Sequence, residues 1–124
     1  MTDIPKDENL LIKPAVNGTV AVMKAAHINK VKRVVITSSV AAIYITADKS
    51  KKFFNENDWT DTKIATAYER SKTFAEKAAW EFIDNLPDDE KFDLVTINPG
   101  MVLGPNLNEA QFAVGDVVKK IMMN

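Results

Sequence analysis

Tyr68 and Lys72 stand four residues apart at the head of a long helical pattern, a spacing that puts two side chains on one helix face, a turn from each other. An ammonium beside a phenol favours the phenolate. A phenol tuned in that way can give a proton to a carbonyl oxygen or take one from an alcohol. Alone the pair is weak, because many solvent-facing helices carry a Tyr and a Lys at this spacing. Its weight comes from two hydroxyls upstream, Ser38 and Ser39, and from Asn98-Pro99-Gly100 downstream, each closing a short β-branched run. A serine hydroxyl can hold the substrate oxygen while the phenol moves the proton. The hydride of such a reaction comes from a nicotinamide, since no side chain supplies one.

The elements that must position these groups follow from periodicity. Asn9 to Asn29 has apolar residues at spacings of three and four and predicts a helix. Pro14 is expected in its first turn, where a missing N–H costs nothing, and Gly18 weakens it unless close packing wants a small residue there. Lys32 to Thr37 is nearly continuous in apolar character, the look of a strand covered on both faces. A small apolar run, Val40 to Ile45, leads into a charged loop, Ala47 to Asp61, with Phe53, Phe54 and Trp59 as packing anchors. Ile64 to Asn85 is the helix that carries Tyr68 and Lys72. Phe74, Ala75, Ala78, Ala79, Phe82 and Ile83 give it an apolar face, and Leu86-Pro87-Asp88-Asp89 stops it. Phe92 to Ile97 predicts a second strand. Gly115-Asp116 predicts a helix start, with Asp116 capping Val117 to Met123.

Two buried-type strands joined by a long helix predict a parallel βαβ unit in an open α/β sheet. Ligands of such sheets bind outside the carboxyl ends of the strands, here Thr37-Ser38-Ser39 and Asn98-Pro99-Gly100. Topology alone therefore draws three separate stretches towards one edge. Two strands leave bare sheet edges, and by pattern the chain stops in mid-helix. It reads as the middle of a larger domain, poorly soluble and molten if expressed by itself.

Composition narrows the class. The 124 residues are 46% hydrophobic, enough for one small domain with a core. A net charge of -1, from 16 basic and 17 acidic residues, calls for neither nucleic acid nor an anionic membrane as partner. The chain has no cysteine and a single histidine, His27, so thiolate chemistry, disulfides and Cys- or His-rich metal sites are excluded. The N-terminal residues lack the order of a signal peptide and no apolar run could span a membrane, so the expected location is cytoplasmic. Blander roles are expected for several residues. Ser71 reads as a local helix hydroxyl, His27 as a favourable cation near a helix end, Trp80 and Phe82 as core anchors, Lys49-Ser50-Lys51-Lys52 as a solvated loop, and Met122-Met123 as packing.

Three of these stretches together resemble the extended short-chain dehydrogenase/reductases. Val31-Lys32-Arg33-Val34-Val35-Ile36-Thr37-Ser38-Ser39 looks like that family's strand leading to its serine. Tyr68-Glu69-Arg70-Ser71-Lys72-Thr73 with Ala75-Glu76-Lys77-Ala78-Ala79-Trp80 is similar to the helix of its dihydroflavonol reductase and cinnamoyl-CoA reductase branch. Ile97-Asn98-Pro99-Gly100-Met101-Val102-Leu103-Gly104-Pro105 resembles the segment after the next strand. The resemblance covers about Leu11 to Met122. It implies a Rossmann-type three-layer α/β/α fold with a parallel sheet, of which only the central-to-late portion is present, so that residues 1–124 form a partial NAD(P)-binding domain. It implies catalysis by Ser39, Tyr68 and Lys72, and cofactor contacts at Thr37, Ser38, Tyr68, Lys72, Pro99, Gly100, Met101 and Val102. The implied cofactor is NADP(H) or NAD(H), and the implied substrate a small aldehyde or ketone interconverted with its alcohol. Pro14 falls where sugar-nucleotide epimerases of the family tend to place an asparagine, which favours the reductase branch. Two departures stand beside this. The four glycines, Gly18, Gly100, Gly104 and Gly115, form no glycine-rich phosphate loop, and the substrate lobe is missing. The alternatives are a nucleotide-sugar epimerase or dehydratase of the same fold, or an inactive truncated product.

Overall fold

The computed structural model describes residues 7–104 and 113–123. Helix α1 (Asn9–Ile28) is followed by strand β1 (Arg33–Thr37), a short 3-10 turn (Val40–Ala42), helix α2 (Ala67–Asp84), strand β2 (Asp93–Ile97) and helix α3 (Ala113–Met122). The two strands pair in parallel, in register from Arg33 opposite Asp93 to Thr37 opposite Ile97. This is the expected βαβ unit, with α2 as the crossover. No helix among the described residues is long and apolar enough to cross a membrane.

Both long helices lie on one face of the sheet. Met23 of α1, Ala79 of α2 and Leu94 of β2 form the buried core, flanked by Val34, Ile36, Trp80, Phe82, Ile83 and Phe92. Side chains alternate along a strand, so Val35, Val95 and Ile97 point to the other face, where they are 58%, 39% and 51% exposed. The apolar run Val34-Val35-Ile36 is therefore covered on one face, and the described residues build two of the three layers. His27 packs edge-on against Phe82 and pairs with Glu90 at 2.9 Å, in keeping with a structural role.

Several local expectations need correction. Pro14 lies in the second turn of α1, because the helix already begins at Asn9, where Asp7 Oδ1 accepts the Asn9 N–H at 2.9 Å. Gly18 meets no close neighbour: a Cβ added there would find nothing within 4 Å. Phe53 is 87% exposed and anchors nothing, whereas the rings of Phe54 and Trp59 are covered by the Lys51 and Lys77 ammonium groups at 5.3 and 4.9 Å. Met122 and Met123 are 80% and 83% exposed rather than packed. Helix α3 starts at Ala113, so Gly115 and Asp116 lie inside it and Asp116 is not its cap. Pro105, the last residue of the third resembling stretch, lies outside the described residues.

Candidate active site

Strand β1 runs straight into the serines. Ser38 is buried, and its N–H donates to Ile97 O at 2.7 Å. Ser39, half-buried in extended backbone, caps the 3-10 turn: its Oγ accepts the Ala41 N–H at 3.1 Å. A hydroxyl has one proton to give and two lone pairs, so this bond leaves the Ser39 O–H available as a donor. Two further bonds join the same turn to the end of β2. Val40 N–H donates to Pro99 O at 3.0 Å, and Asn98 Nδ2 donates to Ser39 O at 3.0 Å. The carboxyl ends of both strands, drawn together on topological grounds from the sequence, are thus tied at three consecutive residues on each side.

The 3-10 turn packs against α2. The segment beyond it is held by Thr60, whose Oγ1 donates to Ala41 O at 2.7 Å and accepts Ile45 N–H at 3.1 Å. Thr66 caps α2 in a capping box with Glu69. Glu69 Oε1 also accepts the Tyr44 hydroxyl at 3.4 Å, which links the post-serine segment to the first turn of the helix. Burial first, and the Glu69 carboxylate second, raise the Tyr44 hydroxyl above the ordinary tyrosine value of 10.0, so it keeps its proton at neutral pH. Arg70 adds bonds to Glu8 at 2.7 Å and to Thr62 O at 3.1 Å.

Tyr68 is the second residue of this supported turn and is 53% exposed; Lys72, one turn on, is half-buried. Neither the Tyr68 hydroxyl nor the Lys72 ammonium has a hydrogen-bonding or ionic partner among the described residues, so both are free for a ligand. Ser71 Oγ donates to Tyr68 O at 2.7 Å, a local helix bond as its sequence position suggests. Of the residues expected at a cofactor, Thr37 is exposed at the end of β1 and Pro99 is half-buried. Gly100, Met101 and Val102 run exposed from the end of β2. The structure thus joins the serine turn, Pro99 and α2, and leaves residues 100–102 exposed.

Two residues of this arrangement carried no functional reading from the sequence. In the sequence Asn98 is read only with the turn Asn98-Pro99-Gly100, and Glu76 only with the helix stretch Ala75-Glu76-Lys77-Ala78-Ala79-Trp80. Glu76 is 5% exposed, and its Oε2 accepts from Asn98 Nδ2 at 2.9 Å. The signal for it was its position: Thr73, Glu76 and Ala79 form one buried stripe at helical spacing.

Residues 2–123 match the model of the 3-beta hydroxysteroid dehydrogenase/isomerase family. The chain belongs to that family. It is 40% identical over 117 residues to the NADPH-dependent methylglyoxal reductase GRE2 of Saccharomyces cerevisiae, covering 85% of this chain and 34% of that protein. It is 42% identical over 109 residues to an anthocyanidin reductase ((2S)-flavan-3-ol-forming) of Vitis vinifera, covering 81% of this chain and 31% of that one. A crystal structure of Gre2 in complex with NADPH from Candida albicans matches with a TM-score of 0.79 at 34% identity, over 98% of this chain and 40% of that one. The family chain described here therefore spans about a third of the length of its curated relatives. Its resemblance to the reductase branch and its Rossmann-type fold both hold.

Proposed function

We propose that the chain carries the proton-transfer part of an NADPH-dependent reductase that converts a small aldehyde or ketone to its alcohol. The observation that carries the reading is the three-bond joint between the Ser39 turn and residues 97–99, packed against the helix that bears Tyr68 and Lys72. Support comes from relatives that are named reductases and from a neighbour solved with NADPH. Residues 1–124 are, on this reading, part of a larger NAD(P)-binding domain. A cytoplasmic location belongs to the same proposal.

The residues present fit such a cofactor on its nicotinamide side. Exposed residues 100–102, a Lys72 without a partner among the described residues and an exposed Tyr68 lie at the carboxyl end of the sheet, while no glycine-rich loop for a pyrophosphate exists in the chain. NADPH, when bound, supplies the hydride to the carbonyl carbon. The Tyr68 hydroxyl gives its proton to the carbonyl oxygen, which completes the alcohol. Ser39 O–H holds that oxygen, aimed by the Ala41 bond to its other side. Lys72 stabilises the phenolate that Tyr68 becomes.

The test is NADPH and NADH binding by fluorescence, then NADPH consumption with an aldehyde and ketone panel, on the parent chain and on Tyr68→Phe and Lys72→Ala variants. Tyr68 is 53% exposed and its hydroxyl has no partner among the described residues, so Tyr68→Phe is expected to change stability by less than about 0.5 kcal/mol. Turnover is expected to fall by about 10²–10⁴. Undiminished turnover in Tyr68→Phe would refute the assigned role.

A further inference from the structure

We propose that Glu76 is a positioning residue for this chemistry: through Asn98 it locks the Ser39 turn and the Pro99 segment to the helix that carries Tyr68 and Lys72. The inference rests on the reductase reading for its kinetic part and on geometry for the rest. Glu76 is 5% exposed on the core side of α2, and its one hydrogen bond among the described residues comes from Asn98 Nδ2 at 2.9 Å. The same Asn98 nitrogen gives its second hydrogen to Ser39 O at 3.0 Å, so both donors of the amide are used. One side chain thereby links α2, the turn after β1 and the end of β2.

Stability alone is a poor explanation for a carboxylate at this place. Burying one is costly unless it is hydrogen-bonded, and replacing both partners of a buried hydrogen bond by apolar groups of the same shape can be nearly neutral or stabilising. Ala79, one turn further along the same stripe, shows what packing asks for there. What the carboxylate adds is direction. Tyr68, Lys72 and Glu76 recur at steps of four on α2, so the three side chains share a face and Glu76 lies about 12 Å along the axis from Tyr68. Apolar contacts carry no directional preference, whereas a hydrogen bond to Asn98 weakens steeply as its angle departs from linear. A 1 Å misplacement of reacting groups costs about a hundredfold in rate, so a contact that fixes the helix against the serine turn bears directly on proton transfer.

The experiment compares Glu76→Ala, Glu76→Gln, Asn98→Ala and the Glu76→Ala/Asn98→Ala double variant in the full chain. Two readouts are used: amide hydrogen exchange at Ser38 and Val40, and kcat and KM with NADPH and an aldehyde. Both alanine variants are expected to speed exchange at Ser38 and Val40 about tenfold, the equivalent of one charge-assisted hydrogen bond, with amides of the α2 interior unchanged. They are expected to lower kcat by about ten- to a hundredfold with KM altered by less than about twofold. The double variant should be no worse than Asn98→Ala, because Glu76 acts only through Asn98, whose loss also removes the bond to Ser39 O. Glu76→Gln retains an acceptor for Asn98 and should recover most of the loss. Unchanged exchange at Ser38 and Val40, additive losses in the double variant, or a glutamine variant as poor as the alanine one would each overturn the proposal. Should Glu76→Ala fail to fold, Asn98→Ala and Glu76→Gln decide by the same criteria. If the parent chain consumes no NADPH with any carbonyl, the reductase reading fails, and the exchange data alone decide whether Glu76 holds the turn.

Discussion

Glu69→Ala should weaken the turn that presents Tyr68, by an amount the bonds allow one to work out. Glu69 Oε2 accepts the Thr66 N–H at 2.6 Å, a short charge-assisted bond, and the Glu69 N–H returns a longer one of 3.4 Å to Thr66 Oγ1. The Tyr44 contact, also 3.4 Å, adds little. Alanine leaves the return bond in place and removes the carboxylate, whose capping share is about 1 kcal/mol. Its charge at the positive end of the helix adds about 0.3–1 kcal/mol. The expected cost is therefore about 1–2 kcal/mol, and a chain of 124 residues loses about 3–5 °C in Tm per kcal/mol. Glu69→Gln keeps an acceptor for Thr66 and loses only the charge, so it should fall about midway. The local readout is exchange of the Arg70 amide, which closes the first turn on Thr66 O at 2.9 Å. It should quicken about fivefold per kcal/mol in the alanine variant, and turnover should fall with it because Tyr68 sits inside that turn. An alanine variant that melts with the parent and protects Arg70 equally would refute the reasoning.

Three more outcomes follow from single contacts. Lys30 holds a left-handed φ of 54° at the end of α1, where Val31 N–H and Lys30 N–H close onto Ala26 O and His27 O at 3.0 Å each; Lys30→Gly should raise stability by about 0.5–1 kcal/mol in denaturant melts, and any loss would contradict that account. Tyr44 and Tyr68 are the only tyrosines, so ultraviolet titration of Tyr68→Phe reads Tyr44 alone; it should ionise above 10.0, lowered again by Glu69→Gln. Since folding raises that pKa, its stabilising share is present below the unfolded value and lost as pH rises through the folded one. Met23→Ala, at 0% exposure in a core of three residues, should cost about 2–5 kcal/mol; a loss under about 1 kcal/mol would show that the site collapses around the gap.

What could be read in the sequence was whatever local spacing encodes. Tyr68 and Lys72 announced themselves because a helix turns every 3.6 residues, and both strands because β-branched runs end in turn residues. Their meeting point followed from the carboxyl-end rule for parallel sheets. Glu76 did not announce itself, because its partner Asn98 is 22 residues away and only the fold makes them neighbours. Pro14 misled for a related reason: a proline marks a first turn only when nothing upstream starts the helix, and here Asp7 does so by taking the Asn9 N–H. Phe53 misled because ring size says nothing of direction, and its neighbour Phe54 has the Lys51 cover instead. The one-sided sheet was illegible as well, since Val34-Val35-Ile36 reads as a doubly covered strand whether or not the second cover belongs to the same 124 residues.

The two halves of the site rest on unequal supports, and this has a kinetic consequence. Every group assigned to proton transfer is braced from within the chain: Ser39 by Ala41, its turn by Thr60 and Asn98, and the Tyr68 turn by Thr66 and Glu69. Beyond Pro99 the stretch assigned to the nicotinamide is not, for Met101 and Val102 are 61% and 71% exposed, and Pro99 holds its last backbone bond among the described residues. Ordering such a stretch around a ligand costs about 1–2 kcal/mol per residue in backbone entropy, and that cost is charged to binding. In the chain as it stands, the deficit should therefore appear in NADPH affinity, while turnover at saturating cofactor keeps its dependence on Tyr68 and Ser39. The opposite pattern, tight NADPH binding with turnover indifferent to Tyr68, would mean that the braced groups hold the fold and the chemistry lies elsewhere.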